Sequence, residues 1–98
     1  MYTEVVSDFL GFDWDSANQE HILRHGVIPE EVEDVASRKN VVLTANSVKR
    51  EKRWKLLGKT SAGRYLVVIF TVRRKRFRAV TAYDMNATER KTYAPKID

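Results

Sequence analysis

The chain has 98 residues, 18 lysines and arginines against 13 aspartates and glutamates, and no cysteine. One domain over residues 1–98 is expected, with one modest core and a shallow groove or sheet patch rather than an enclosed cavity. The missing thiols exclude a disulfide scaffold, cysteine-ligated zinc and thiol chemistry.

The net charge of +5 conceals a sharper division. Residues 1–36 carry nine acidic side chains and one basic one, Arg24, whereas residues 37–98 carry seventeen basic and four acidic ones. The halves are therefore −8 and +13. Such asymmetry points to a polyanion-binding surface built from the second half, with nucleic acid as the expected partner. Met1 to Leu10 lacks the basic-then-apolar form of a secretory signal, and the longest apolar run, Leu66 to Phe70, is too short for a bilayer. A soluble cytoplasmic protein without membrane contact is the expectation.

Residues 1–10 read as a loosely held lead-in, and Phe12-Asp13-Trp14 as a short edge strand. Asp15 is placed to cap a first helix from Ser16 to about His25, with Gly26 as the residue that ends it. Pro29 opens a second helix, whose first turns are rich in acid and whose stripe is Val32, Val35 and Ala36, ending near Ser37. The period then changes. Val41 to Ala45 reads as a strand, and Arg53 to Lys59 alternates, with Trp54 and Leu56 on one face and Arg53, Lys55 and Lys59 on the other. Tyr65 to Val72 is apolar on both faces and should be central. Arg73-Arg74-Lys75 reads as a turn, Arg76 to Tyr83 as the next strand, and Asn86 with Glu89 as the capped start of a helix from Ala87 to about Tyr93, stopped near Pro95. The class is α+β: an antiparallel sheet of three or four strands, helices on one face, and the other face left to the cations.

RNA can be cut by its own 2′-hydroxyl, given a base, an acid and cations around the phosphate, with no metal or cofactor required. His25 is the candidate titrating group, its imidazole changing charge near neutral pH; the alternative is that it caps carbonyls or packs on Trp14. His21 stands one turn earlier, without the acidic residues of a metal motif. Arg53, Lys55, Arg76 and Arg78 are the expected phosphate clamp, with Arg64 able to join them, since a guanidinium fork matches phosphate. The alternative for these cations is a solvated, aggregation-resistant edge, and more so for the turn residues Arg73, Arg74 and Lys75. Tyr83 suits base stacking, phosphate donation or core closure. Glu89 suits general base catalysis or capping, Tyr93 helix packing, and Trp54 the core.

Phe12-Asp13-Trp14-Asp15, Arg24-His25-Gly26-Val27, the Glu-rich helix, Arg53-Trp54, Leu57-Gly58, Gly63-Arg64, Leu66-Val67-Val68 and Phe77-Arg78-Ala79-Val80-Thr81-Ala82 occur in an order that resembles the BrnT family of type II toxins over about residues 12–93. That resemblance implies a RelE-like fold and ribonuclease activity. It also implies a cognate BrnA-like antitoxin that binds the toxin and represses their shared promoter, contacting operator DNA. One departure stands out: family members often carry Arg after the Ser/Thr-Ala of the last strand, and here Tyr83 is followed by Asp84. If that Arg stabilises the cleaved phosphate, the expectation shifts toward weak, altered or absent cutting. A non-catalytic nucleic-acid-binding or antitoxin-docking module is therefore the alternative function.

Overall fold

In the computed structural model, which describes residues 9–98, Asp15 begins the first helix, α1 (Ser16–Leu23), through a reciprocal cap. Its carboxylate accepts from the Asn18 N–H at 3.0 Å, and the Asn18 amide oxygen accepts from the Asp15 N–H at 2.9 Å. Gly26, at φ 71°, ends it: Gly26 N–H donates to Leu23 O and Val27 N–H to Ile22 O, the paired bonds of a Schellman turn. Arg24 and His25 thus belong to the turn, and α1 stops two residues before the expected His25. Pro29 occupies the first turn of α2 (Pro29–Ser37), and Val32, Val35 and Ala36 are buried as its spacing requires. The carbonyls at the end of α2 are met by the buried Asn40 amide, which donates to Val35 O, Ala36 O and Arg38 O.

Asn40 also opens β1 (Asn40–Val48), followed by β2 (Glu51–Lys59), β3 (Tyr65–Arg73) and β4 (Arg76–Asp84). They form one antiparallel meander in the order β1-β2-β3-β4. The first two strands are longer than the sequence suggested. They continue, through an irregularity between Ala45 and Val48, to a two-residue turn at Lys49-Arg50. The turn after β3 is likewise two residues, Arg74-Lys75, and Arg73 belongs to the strand. All four turn residues have positive φ (50°, 66°, 51° and 62°), as a type I′ hairpin demands.

Alternation along β2 and β3 separates two cores. Leu56, Leu66, Val68 and Phe70 join Ile22, Val27, Val32, Val35, Phe77 and Ala82 under α1 and α2, with Trp54 packed alongside. Leu57, Val67 and Ile69 point the other way, toward Ile97 and Tyr93 of α3 (Ala87–Ile97), with Tyr83 and Met85. The second face is therefore not left to the cations. A central strand apolar on both sides must be covered twice, and α3 supplies the second cover. The helix runs through Pro95 rather than stopping near it. Ile97 is buried, and Asp98 accepts from Lys59 and from the Tyr65 hydroxyl, so its far end is fastened to the sheet. Gly58 lets α2 lie close on β2, because a Cβ there would stand 3.1 Å from Val35 Cβ.

The expected edge strand at 12–14 is one parallel bridge, Phe12 to Phe77, along the outer side of β4. Of the expected lead-in, residues 1–8 lie outside the described residues; Phe9 packs edge-on against Phe70 and Phe77.

Candidate active site: an arginine groove across three strands

On β3 and β4 the register shifts once. Ile69 pairs with Thr81 but Phe70 pairs with Ala79, so Val80 is an extra residue on β4. Simple alternation would send Arg78 and Tyr83 to opposite faces. The bulge puts both on the side of Thr71, Ile69 and Val67, the side that α3 partly covers. Trp54 pairs with Phe70 and Thr71 with Arg78, so Arg53 and Arg78 flank Thr71 from β2 and β4.

Beyond the reach of α3 this face opens into a groove of about 210 Å³. Arg53, Arg73 and Arg78 line it, one from each of three adjacent strands. Glu51 lies on its wall, and Ala17, Asn18 and His21 of α1 close the β4 side. The buried Asn18 holds α1 there, its amide donating to Asp13 O and to Ala79 O.

The three guanidinium groups are held differently. Arg78, only 12 % exposed, reaches Asp15 at 2.9 Å and Asp13 at 3.3 Å. The Asn18 N–H first and the Arg78 guanidinium second hold the Asp15 carboxyl below its ordinary range. Arg73 is paired with Glu51 Oε2 at 3.1 Å. Arg53 lies 3.7 Å from Glu51 Oε1, too far for a good hydrogen bond, and its buried Nε has no partner among the described residues. A buried donor without an acceptor is unusual and calls for one.

The other candidates from the sequence fall around this groove rather than in it. Lys55 shares the Arg53 face but is bound to Glu89 Oε2 at 2.9 Å; this hydrogen bond is the main reason its ammonium pKa is raised. Glu89 uses its other oxygen to accept the Asn86 N–H at 3.0 Å, completing the cap of α3. Burial pushes the Glu89 carboxyl upward, but the Asn86 cap and Lys55 together outweigh it and hold the pKa below normal. His25 sits in the turn that follows α1, its ring 6.0 Å from that of His21 and 6.3 Å from that of Tyr83. Tyr83 packs on the α3-side core. Arg76 is exposed beside the Arg74-Lys75 turn, opposite Arg73 in register.

Arg64 is turned to the far end. Its guanidinium donates to Asp84, to both oxygens of Glu31 and to the carbonyls of Gly26 and His25. Its pKa is raised, chiefly by the Asp84 hydrogen bond, and the same bond lowers that of Asp84. Trp54 stacks on Phe70 at 5.7 Å, in the core as expected.

Three groove residues were not singled out from the sequence. Glu51 stood in what read as a connection, Arg73 as part of a turn, and His21 only as a weak metal ligand. The usable signal for His21 was the four-residue step from Ala17, which sets both side chains along one side of α1. Among the described residues no three His, Cys, Asp or Glu side chains gather as metal ligands. None of the described helices is long and apolar enough to cross a membrane.

Three helices on a four-stranded antiparallel meander, with arginines from neighbouring strands meeting in an open groove, define a small basic α+β domain of the RelE-like kind. The family model for BrnT, the ribonuclease toxin of type II toxin–antitoxin systems, matches residues 14–89. The chain belongs to that family. A search of the curated proteins finds no match.

Proposed function

We propose that the protein is the toxin of a type II pair and cuts RNA in the arginine groove, without a metal, by attack of a ribose 2′-hydroxyl on the adjacent phosphorus. Family membership implies an RNA substrate and an antitoxin partner. One observation carries the rest: Arg53, Arg73 and Arg78 line one open groove from three adjacent strands, with a histidine and a carboxylate in its wall. Planar guanidinium groups set around a phosphorane stabilise the charge that builds on its oxygens.

In this reading Arg53, Arg73 and Arg78 grip the scissile phosphate. Tyr83 and His25 offer ring faces to a neighbouring base. Lys55 and Arg76 extend positive potential to either side, and Arg64 supports the α1–α2 turn. Incubation of purified protein with total RNA and a chelator tests the proposal: cutting persists, and Arg53→Glu or Arg78→Glu removes it. Full activity of both variants would refute the clamp.

A second reading is a module that binds RNA or the antitoxin without cutting. It is favoured by Tyr83 at the position where Arg is common in the family, and by the two aspartates that already hold Arg78. It predicts salt-dependent binding and intact RNA after long incubation. A regulatory contact with operator DNA would then run through the antitoxin.

A further inference from the structure

Glu51 and His21 face into the same groove as the three arginines, one from the β2 side and one from α1 on the β4 side. A carboxylate and an imidazole lining one groove beside three arginines are the two kinds of group that an internal transfer of RNA requires. We infer that Glu51 is the general base and His21 the general acid of the cleavage; this rests on the reading above and deepens it.

Glu51 accepts from Arg73 at 3.1 Å and stands 3.7 Å from Arg53. In the free protein the carboxylate occupies the guanidinium groups as a phosphate would. When RNA enters, the phosphate takes those donors, and the Glu51 carboxylate is left beside the ribose. It accepts the 2′-hydroxyl proton, while the 2′-oxygen forms its bond to phosphorus and the bond from phosphorus to the 5′-oxygen breaks. The imidazolium of His21 gives its proton to that departing oxygen. The products are a 2′,3′-cyclic phosphate and a 5′-hydroxyl, and no other reactant is consumed.

The remaining titratable candidates are less well placed. Both oxygens of Glu89 are engaged, by the helix cap and by Lys55. His25 is turned toward Tyr83 and does not line the groove. Asp13 and Asp15 face Arg78 from outside the lining, and Asp15 is also the cap of α1.

The test uses a mixed-sequence RNA oligonucleotide, its fully 2′-O-methylated form as an uncleavable ligand, and a version with sulfur in place of the bridging 5′-oxygen. Glu51→Gln keeps hydrogen bonding to Arg73 and removes only the proton-accepting charge. Cleavage should fall by about a hundredfold or more, while affinity for the methylated RNA stays equal or tightens, because a negative charge has left the groove. His21→Ala should be similarly slow on ordinary RNA and recover on the sulfur substrate, whose leaving group needs no proton. Melting temperatures near that of the parent protein confirm folding.

Glu51→Gln cutting at the parent rate, or losing binding and cleavage together, overturns the base. His21→Ala equally slow on both substrates, or a greater loss from His25→Ala, overturns the acid. Intact RNA with the parent protein defeats the broader reading. Parent activity with dead arginine variants and a fully active Glu51→Gln defeats this assignment alone.

Discussion

Lys55 Nζ and Glu89 Oε2 lie 2.9 Å apart, and this ion pair ties the first turn of α3 to β2. Glu89 closes the cap of its own helix with its other oxygen, so one side chain fixes both where α3 begins and where it sits. The folded-state shifts have opposite signs: the Glu89 carboxyl is held low and the Lys55 ammonium high. A depressed carboxyl contributes stability above its unfolded pKa and loses it as pH falls through the folded value. A raised ammonium contributes fully below its unfolded pKa and loses it as pH rises through the folded value. Attachment of α3 should therefore be strongest between the acid and alkaline extremes. Because both side chains are partly exposed, Glu89→Gln should cost only ~1 kcal/mol at neutral pH. It should also shrink the fall in melting temperature on acidification. Thermal melts across pH on both proteins check this; an unchanged acid limb would refute it.

The groove predicts how the arginines divide. Arg73→Glu should weaken binding of methylated RNA as Arg53→Glu does, although the sequence places Arg73 at a turn. Each lost phosphate contact should make the slope of log affinity against log salt shallower by roughly one unit. Binding titrations at several salt concentrations read this directly. A slope unaltered by Arg73→Glu would remove that residue from the groove's function.

Arg64 should behave as a structural residue. Its donors are spent on Asp84, Glu31 and the carbonyls of His25 and Gly26. Arg64→Met leaves those acceptors in need of water and should lower stability by ~1–2 kcal/mol, with little change in RNA affinity per folded molecule. Denaturant melts paired with binding titrations separate the two effects. A large affinity loss at unchanged stability would return Arg64 to the phosphate clamp.

Two of the three hairpins turn on cationic residues in a left-handed conformation, at Lys49-Arg50 and at Arg74-Lys75. An L-residue with a Cβ is held there at a cost of about 1 kcal/mol or more, and glycine is not. Lys75→Gly should raise stability by ~0.5 kcal/mol, the relief of strain being partly offset by the extra chain entropy of glycine when unfolded. A lower melting temperature would show that the lysine side chain contributes more than its backbone strain costs.

Tyr83 faces the groove side of the sheet only because of the Val80 bulge. Tyr83→Arg places a guanidinium on the same face as Arg53 and Arg78. If phosphate charge limits the rate, cleavage should rise about tenfold or more, since a charged hydrogen bond is worth roughly 1.5–3 kcal/mol. Single-turnover cleavage assays decide it, and a slower variant would favour the stacking role for the tyrosine.

The amino-acid sequence by itself determined the elements and the class. Asp15, Gly26, Pro29 and Asn86 act through the backbone beside them, so their caps and turns are local and legible. The doubled apolar pattern of β3 likewise sets it at the centre of the sheet. Other features depend on contacts remote in sequence, and only the tertiary structure decided them. Nothing near Pro95 announces that α3 continues past it; Lys59, Tyr65 and a buried Ile97 hold the far turn in place. Nothing in Arg76 to Tyr83 announces the extra residue at Val80, yet with a side-chain period of two, one inserted residue reverses every face that follows. That reversal sets Arg78 and Tyr83 on one side. The packing of α1 along β4 then brings His21 to the arginines, and pairing across β2 and β3 brings Glu51 to Arg73. Charge could be counted along the chain, but the space in which it converges exists only once the strands are in register.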